Sequence, residues 1–158
     1  MKFNYKVDTS AIKNLVLKSP EIASKFILQL GLAVEAEAVD LVGTPGPYHA
    51  EDSGNLKSSI GTRKRTISGR PAAEVFATAS YAEFVHEGTG IYGPKKRPIV
   101  PIRAKALHWG GTPGVFAKSV KGMRARPFLR KAIDNIIPKK MAKIFERVSG
   151  KVLKVRKR

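Results

Sequence analysis

The sequence contains no cysteine. That excludes a disulfide scaffold, a thiol nucleophile and a Cys-ligated zinc, and it fits a product made in a reducing compartment such as the cytoplasm. Long apolar runs are missing too. The first eighteen residues hold no apolar run of signal-peptide length, and no 18-residue stretch is free of charge. Neither secretion nor a membrane span is therefore expected, and no membrane partner. Acidic residues are scarce: twelve Asp and Glu stand against thirty Lys and Arg, a formal net charge of +18. Such an excess suits contact with nucleic acid or with acidic protein surfaces. There is no internal repeat and no low-complexity run.

What is present is enough to fold. At 158 residues and 42% hydrophobic content, the chain is the size of one domain and buries roughly two thirds of its unfolded surface. One domain over 1–150 followed by a basic tail over 151–158 is the expected organisation. The charge is uneven: 121–158 holds fourteen basic and two acidic residues, whereas 1–120 holds sixteen and ten.

Ser19, Pro20 and Glu21 supply an N-cap, a first-turn proline and a first-turn acid, and Gly43 supplies a stop, which predicts a helix over about 20–42. Its apolar stripe is Ile22, Phe26, Leu30, Ala33, Val34 and Leu41. Leu28 and Leu32 fall instead on the charged side with Glu21, Lys25 and Glu35, while Glu37 points into the apolar side. The two leucines are either scattered surface residues or a face for another subunit. Residues 43–54, with Pro45, Gly46 and Pro47, form a long loop. Residues 56–67 and 72–78 predict two antiparallel strands, and 99–109 with 115–120 a second pair. Pro127 opens a last helix that Pro138 kinks or restarts, after which Met141, Ile144, Phe145, Val148 and Val152 keep helical spacing. The 151–158 segment reads as a frayed tail. The expected architecture is α+β: an antiparallel sheet of about four strands packed against a long N-terminal helix, with a C-terminal helix kinked or restarted at Pro138.

Motifs for chemistry fail on inspection. Gly88, Gly90 and Gly93 match a G-x-G-x-x-G string, but Pro94 and Pro98 follow where a dinucleotide fold needs a helix. Residues 111–119 approach a phosphate loop, yet Ala117 stands where glycine is required and the spacing is one residue too long. Glu83, His86 and Glu87, and also His49, Glu51 and Asp52, are loose clusters without a dedicated metal spacing; a solvated polar edge is the commoner arrangement. His108 beside Trp109 reads as packing. No serine sits in a nucleophile elbow. No enzyme activity, cofactor or metal is expected.

Three segments carry a resemblance. The first is Asp52, Ser53, Gly54, Asn55, Leu56, Lys57, Ser58, Ser59 and Ile60; the second runs from Tyr81 and Ala82 through Phe84 and Val85 to Glu87, Gly88 and Thr89; the third is Ala125, Arg126, Pro127, Phe128, Leu129, Arg130 and Ala132. In order and separation, over about 20–137, they resemble the head-tail joining, or tail-completion, family of long-tailed double-stranded DNA bacteriophages. His86 departs from the family, which often carries Glu there, and so does the extended basic tail after Pro138.

The bottom-up reading of the same residues is compatible. Gly54 can end the loop with a positive φ, Leu56 and Ile60 share a strand face, and Gly88 with Gly90 lets the chain leave a short helical turn. Arg126 begins a helix within reach of a carboxylate such as Glu83 or Glu87. Backbone geometry alone accounts for residues of these kinds.

The resemblance implies a structural virion protein that forms a ring, a hexamer, at the top of the tail. Its partners would be the tail tube protein, the head connector with its adaptor or stopper proteins, and genomic DNA passing through. On this reading the subunit-interface candidates are Leu28, Leu32, Pro45, Tyr48, Gly54, Gly88, Tyr92 and Arg126. Lys139, Lys140, Lys143, Arg147, Lys151, Lys154, Arg156, Lys157 and Arg158 are candidates for contact with DNA or an acidic partner. The alternative is a nucleic-acid-binding protein that uses this basic segment on phosphates without reading sequence, since no recognition element accompanies the charge.

Overall fold

Ser19 divides two helices. The residue before a proline is pushed out of the helical region, and Ser19 sits at φ −151°, ψ 71°. Helix α1 (Ser10–Lys18) therefore ends there, and α2 (Pro20–Gly43) begins at Pro20. Ser19 was expected to cap α2 with its side chain; it makes no such bond, and it is the Ser19 carbonyl that accepts the Ala23 amide at 3.0 Å. The computed structural model describes residues 5–7, 10–50, 54–110, 113–150 and 155–157.

In chain order the elements are β1 (Tyr5–Val7), α1, α2, α3 (Asn55–Ser59), β2 (Ile60–Ile67), β3 (Arg70–Ala77), α4 (Ala82–Glu87), β4 (Leu107–Trp109), β5 (Val115–Ala117), α5 (Phe128–Ser149) and β6 (Val155–Lys157), with a short 3-10 turn over Gly90–Tyr92. The described chain mixes helices with small antiparallel sheets, as expected. It does not build one four-stranded sheet. β2 pairs with β3, β4 with β5, and β1 with β6, each as a separate two-stranded sheet. Pro101 interrupts the stretch expected to begin the second pair, so 99–106 keeps only an isolated bridge from Ile99 to Val120. Two compact units result, one made of 1–78 and 128–158 and the other of 79–127.

In the first unit α2 and α5 run antiparallel. Phe26 meets Phe145 edge-to-face with ring centroids 5.3 Å apart, and the Asn135 amide donates to Glu37 Oε1 at 2.7 Å. Glu37, which the helical wheel placed on the apolar side, is thus partnered there. Ala23, Phe26, Met141, Ile144 and Phe145 form the buried cluster, with Ile12 of α1 packed on it. Elsewhere α2 carries the β2–β3 hairpin. Gly31 makes this possible: a Cβ there would lie 2.9 Å from both the Ala73 Cβ and the Thr62 Cγ2, and the Thr62 hydroxyl donates to the Gly31 carbonyl at 3.3 Å. The hairpin turns through Ser68 and Gly69, both at positive φ (51° and 72°), the backbone that matches the twist of the flanking strands.

Three further expectations change. Residues 55–59 are helical, not the start of a strand; the Ser58 amide donates to the Gly54 carbonyl at 3.0 Å, and Leu56 and Ile60, four apart, are both buried at this helix-to-strand junction. Of the two expectations for Pro138, a kink or a restart, the restart does not occur: the helix continues through it to Ser149. Its buried positions do change register there. Phe128, Ala132 and Ile136 step by four, the next is Met141, five residues on, and Ile144 and Phe145 follow. The segment read as a frayed tail contributes β6, its alternating Val155, Arg156 and Lys157 pairing with Val7, Lys6 and Tyr5.

Candidate functional site

Two of the three resemblance-bearing segments are bonded to each other within the second unit. The Arg126 amide donates to the Val85 carbonyl (2.9 Å), the Thr89 amide to the Met123 carbonyl (2.8 Å) and the Ile91 amide to the Lys121 carbonyl (2.8 Å). The Met123 amide returns a bond to the Thr89 hydroxyl at 2.8 Å. Residues 85–91 and 121–126 are therefore two antiparallel arms of one long excursion of the chain, whose middle carries β4 and β5.

Glycine is required where the arms touch. Gly88, at φ 78°, would place a Cβ 2.7 Å from the Ala125 nitrogen. Gly90 and Gly122, at φ 63° and 91°, face the backbone of Lys121 and Thr89 respectively, with no room for a Cβ. Gly93 packs on the Gly88 carbonyl, 2.7 Å from where its own Cβ would stand. The glycine string is thus filled by its own backbone instead of cradling a phosphate. Val115, Phe116 and Ala117 of the second phosphate-loop candidate form β5, a strand and not the loop-to-helix turn a phosphate site needs.

The middle of the excursion is apolar and exposed. Ile102 is 96% exposed, Phe116 69% and Trp109 46%. Pairing of His108 with Phe116, and of Trp109 with Val115, puts exposed rings on both faces of the ribbon, His108 stacking on Phe116 at 4.5 Å. Neither Ile102 nor Phe116 was singled out from the sequence, because both fell within segments expected to be covered by a sheet. A usable signal was there: prolines fragment 94–101, and no carboxylate occurs between Glu87 and Asp134.

The interface candidates are distributed over both units. On α2, Leu32 is 42% exposed and lies on a solvent stripe with Glu21, Lys25, Gln29, Ala36 and Asp40, while Leu28 is half-buried. Pro45 is exposed and Tyr48 half-buried. The loop they occupy turns back on α2, since Val42's carbonyl receives the Ala50 amide (3.2 Å) and the His49 Nδ1 (3.0 Å). Gly54 precedes α3 at φ 77°. In the second unit Gly88 is buried, Tyr92 lies under the Arg124 guanidinium at 5.4 Å, and Arg126 is half-buried.

Of the cationic candidates, Lys139, Lys140, Lys143 and Arg147 are exposed on one side of α5. Arg156 and Lys157 belong to β6, whereas Lys151, Lys154 and Arg158 lie outside the described residues. Of the loose metal clusters, His86 Nδ1 meets Glu87 Oε1 at 2.8 Å; Glu51 and Asp52 lie outside the described residues. Among the described residues no group of three or more His, Asp or Glu is placed to hold a metal, and no helix is long and apolar enough to cross a membrane.

One charged cluster escaped the sequence reading because its members are far apart in the chain. On the outer face of the hairpin Glu74 receives Arg63 Nε at 2.8 Å and Arg65 Nε at 2.5 Å, and Arg63 also lies over the Phe76 ring at 4.8 Å. The hydrogen bond from Arg63, then that from Arg65, holds the Glu74 carboxyl at about 2, well below the usual carboxylate range. The same bond raises the Arg63 guanidinium. Comparison with family models, with characterised proteins and with solved structures finds no match to this chain.

Proposed function

We propose that this chain is a structural subunit of the neck of a long-tailed double-stranded DNA bacteriophage, one that assembles as a ring and completes the tail for attachment to the DNA-filled head. The reading starts from the resemblance of the segments around Gly54, Gly88 and Arg126. The observation that carries it furthest is the excursion between Glu87 and Pro127, which exposes Ile102, Trp109 and Phe116 outside the chain's own core. Several exposed large side chains in one segment are typical of a surface that another protein covers, and a lone two-stranded ribbon such as β4–β5 is marginally stable in water. The role is one of assembly and not catalysis. Its partners would be copies of itself in a ring, taken as a hexamer, with the tail tube protein on one side, the head connector and its adaptor or stopper proteins on the other, and genomic DNA in the channel.

The test is genetic. A phage lacking the protein should yield DNA-filled heads and separate tails that do not join, as seen by electron microscopy of lysates; normal infectious particles would refute the joining role.

A second reading, binding of nucleic acid without sequence preference, is favoured by one observation. Lys139, Lys143 and Arg147 follow each other at four-residue intervals on exposed positions of α5, beside Lys140, a row of like charges that suits a line of phosphates.

A further inference from the structure

The charges of this chain are segregated along it. Residues 26–56 hold five carboxylates and no Lys or Arg, while residues 88–133 hold eleven Lys and Arg and no carboxylate. The acidic stretch includes the second half of α2; the basic stretch includes the whole excursion. Each displays exposed apolar surface amid its charge. On α2, Leu32 and Ala36 lie on the solvent stripe next to Asp40, with half-buried Glu35 alongside, whereas Glu37 is taken up by Asn135. On the excursion, Ile102 adjoins Arg103 and Lys105, all exposed.

From this complementarity we infer that the occupant of the excursion's apolar, basic surface is a second copy of this chain, which offers the Leu32, Ala36 and Asp40 face of its α2. DNA would engage the cations, but it leaves aliphatic Ile102 without a counterpart and is repelled by the α2 face. A second copy satisfies both surfaces at once. An apolar centre rimmed by opposite charges is also the usual anatomy of a specific protein contact. The two surfaces differ, so the contact is heterologous: each copy uses its excursion on one neighbour and its α2 on the other, and the chain of contacts closes as a ring or runs on as a filament.

The inference rests on the neck reading for its biological setting, but its test needs only the purified full-length chain. Two exposed-surface variants are made, Leu32→Arg with Ala36→Arg on the α2 face, and Ile102→Ser with Lys105→Ser on the excursion. Sedimentation of the unaltered chain at low salt should show species larger than a dimer that dissociate as salt screens the rims. Each variant alone should be monomeric, its association weakened at least about tenfold, as expected for loss of a central contact. An equimolar mixture should form a one-to-one dimer that grows no further, because one intact surface of each kind remains. That result also demonstrates that both variants are folded.

A monomeric unaltered chain, variants that still assemble, or a mixture of folded variants that stays monomeric would each overturn the inference. So would an excursion variant that loses binding to duplex DNA while assembling normally. Should a mixture fail because a variant does not fold, Gln29→Arg and Arg103→Ser, single exposed changes, are paired in the same way and judged by the same outcomes. If the mixing fails while the deletion phage still leaves heads and tails apart, the neck role stands and this contact does not.

Discussion

Gly69 and Gly90 both adopt positive φ, yet they answer to different constraints. Around Gly69 nothing lies within 4 Å of an added Cβ, so Gly69→Ala meets only the backbone preference, about 1–2 kcal/mol. For a chain of this size that is a drop in Tm of roughly 2–8 °C. Gly90→Ala must also displace the Lys121 carbonyl, which accepts the Ile91 amide. It should cost more than Gly69→Ala and should deprotect the Ile91 amide in hydrogen exchange, a change the Gly69 variant leaves out. Glu74 supplies a test by pH. Its folded carboxyl titrates at about 2, below its ordinary 4.5, so the folded state binds fewer protons than the unfolded one in between. Its contribution to stability is complete above about pH 4.5 and is lost as pH falls toward 2. The effect is small because the group is solvent-exposed. Glu74→Gln should flatten the dependence of the urea midpoint over that window, and carbon NMR of the carboxyl should titrate near 2 in the parent chain.

At the scale of elements, α5 is built against its own helical preference. Lys139, Lys143 and Arg147 repel one another at i, i+4. Lys143→Glu turns two repulsive pairs into attractive ones and should raise stability by about 0.5–1 kcal/mol. If the row serves phosphates, the same change should reduce the salt slope of binding to duplex DNA by about 0.9 for the lost contact; stability and binding then move in opposite directions. An unchanged slope would remove Lys143 from any DNA contact. The legibility of the elements followed their residue types. Pro20 and Gly43 mark α2 because they act on the backbone locally. The positions α2 buries most include Ala23, Gly31 and Ala38, and such small residues give almost no hydrophobic signal, so the expected stripe caught buried Phe26 and Val34 but otherwise fell on half-buried Ile22, Leu30, Ala33 and Leu41. Leu56 and Ile60 are four apart, a spacing that a strand face and a helix face share. The exposed ribbon was illegible for another reason: Phe116 and Trp109 have the composition of core residues, and only the folded chain shows how much of each stays exposed. Glu74 with its two arginines likewise depended on strand register, which the sequence leaves open until the Ser68 and Gly69 turn fixes it.

At the scale of the whole molecule, the second unit, 79–127, interrupts the chain of a first unit whose two halves are packed together. Trypsin acting at exposed Arg103 or Lys105 should cut the chain into two pieces, one bearing α2 and the other α5. These should co-elute under native conditions and separate only in denaturant, because Phe26 and Phe145, and Glu37 and Asn135, hold the halves without the peptide link. Pieces that separate in native buffer would show that the excursion, and not the helix pair, keeps the unit together.

The antiparallel pairing of α2 with α5 also governs how the native state is reached. Glu37 and Asn135 are 98 residues apart in the chain, and closing a loop of that length costs about 4 kcal/mol of chain entropy. A single edge-to-face ring pair such as Phe26 with Phe145 returns about 0.5–1.5 kcal/mol beyond its buried area, so no one contact can hold α5 in place. The helix has to dock by most of its length at once. The β2–β3 hairpin, adjacent to α2 in sequence, faces no such barrier and can settle on Gly31 first. Folding should then pass from a locally formed helix and hairpin to a single cooperative capture of α5, with half-docked forms that bare Phe26 too costly to accumulate.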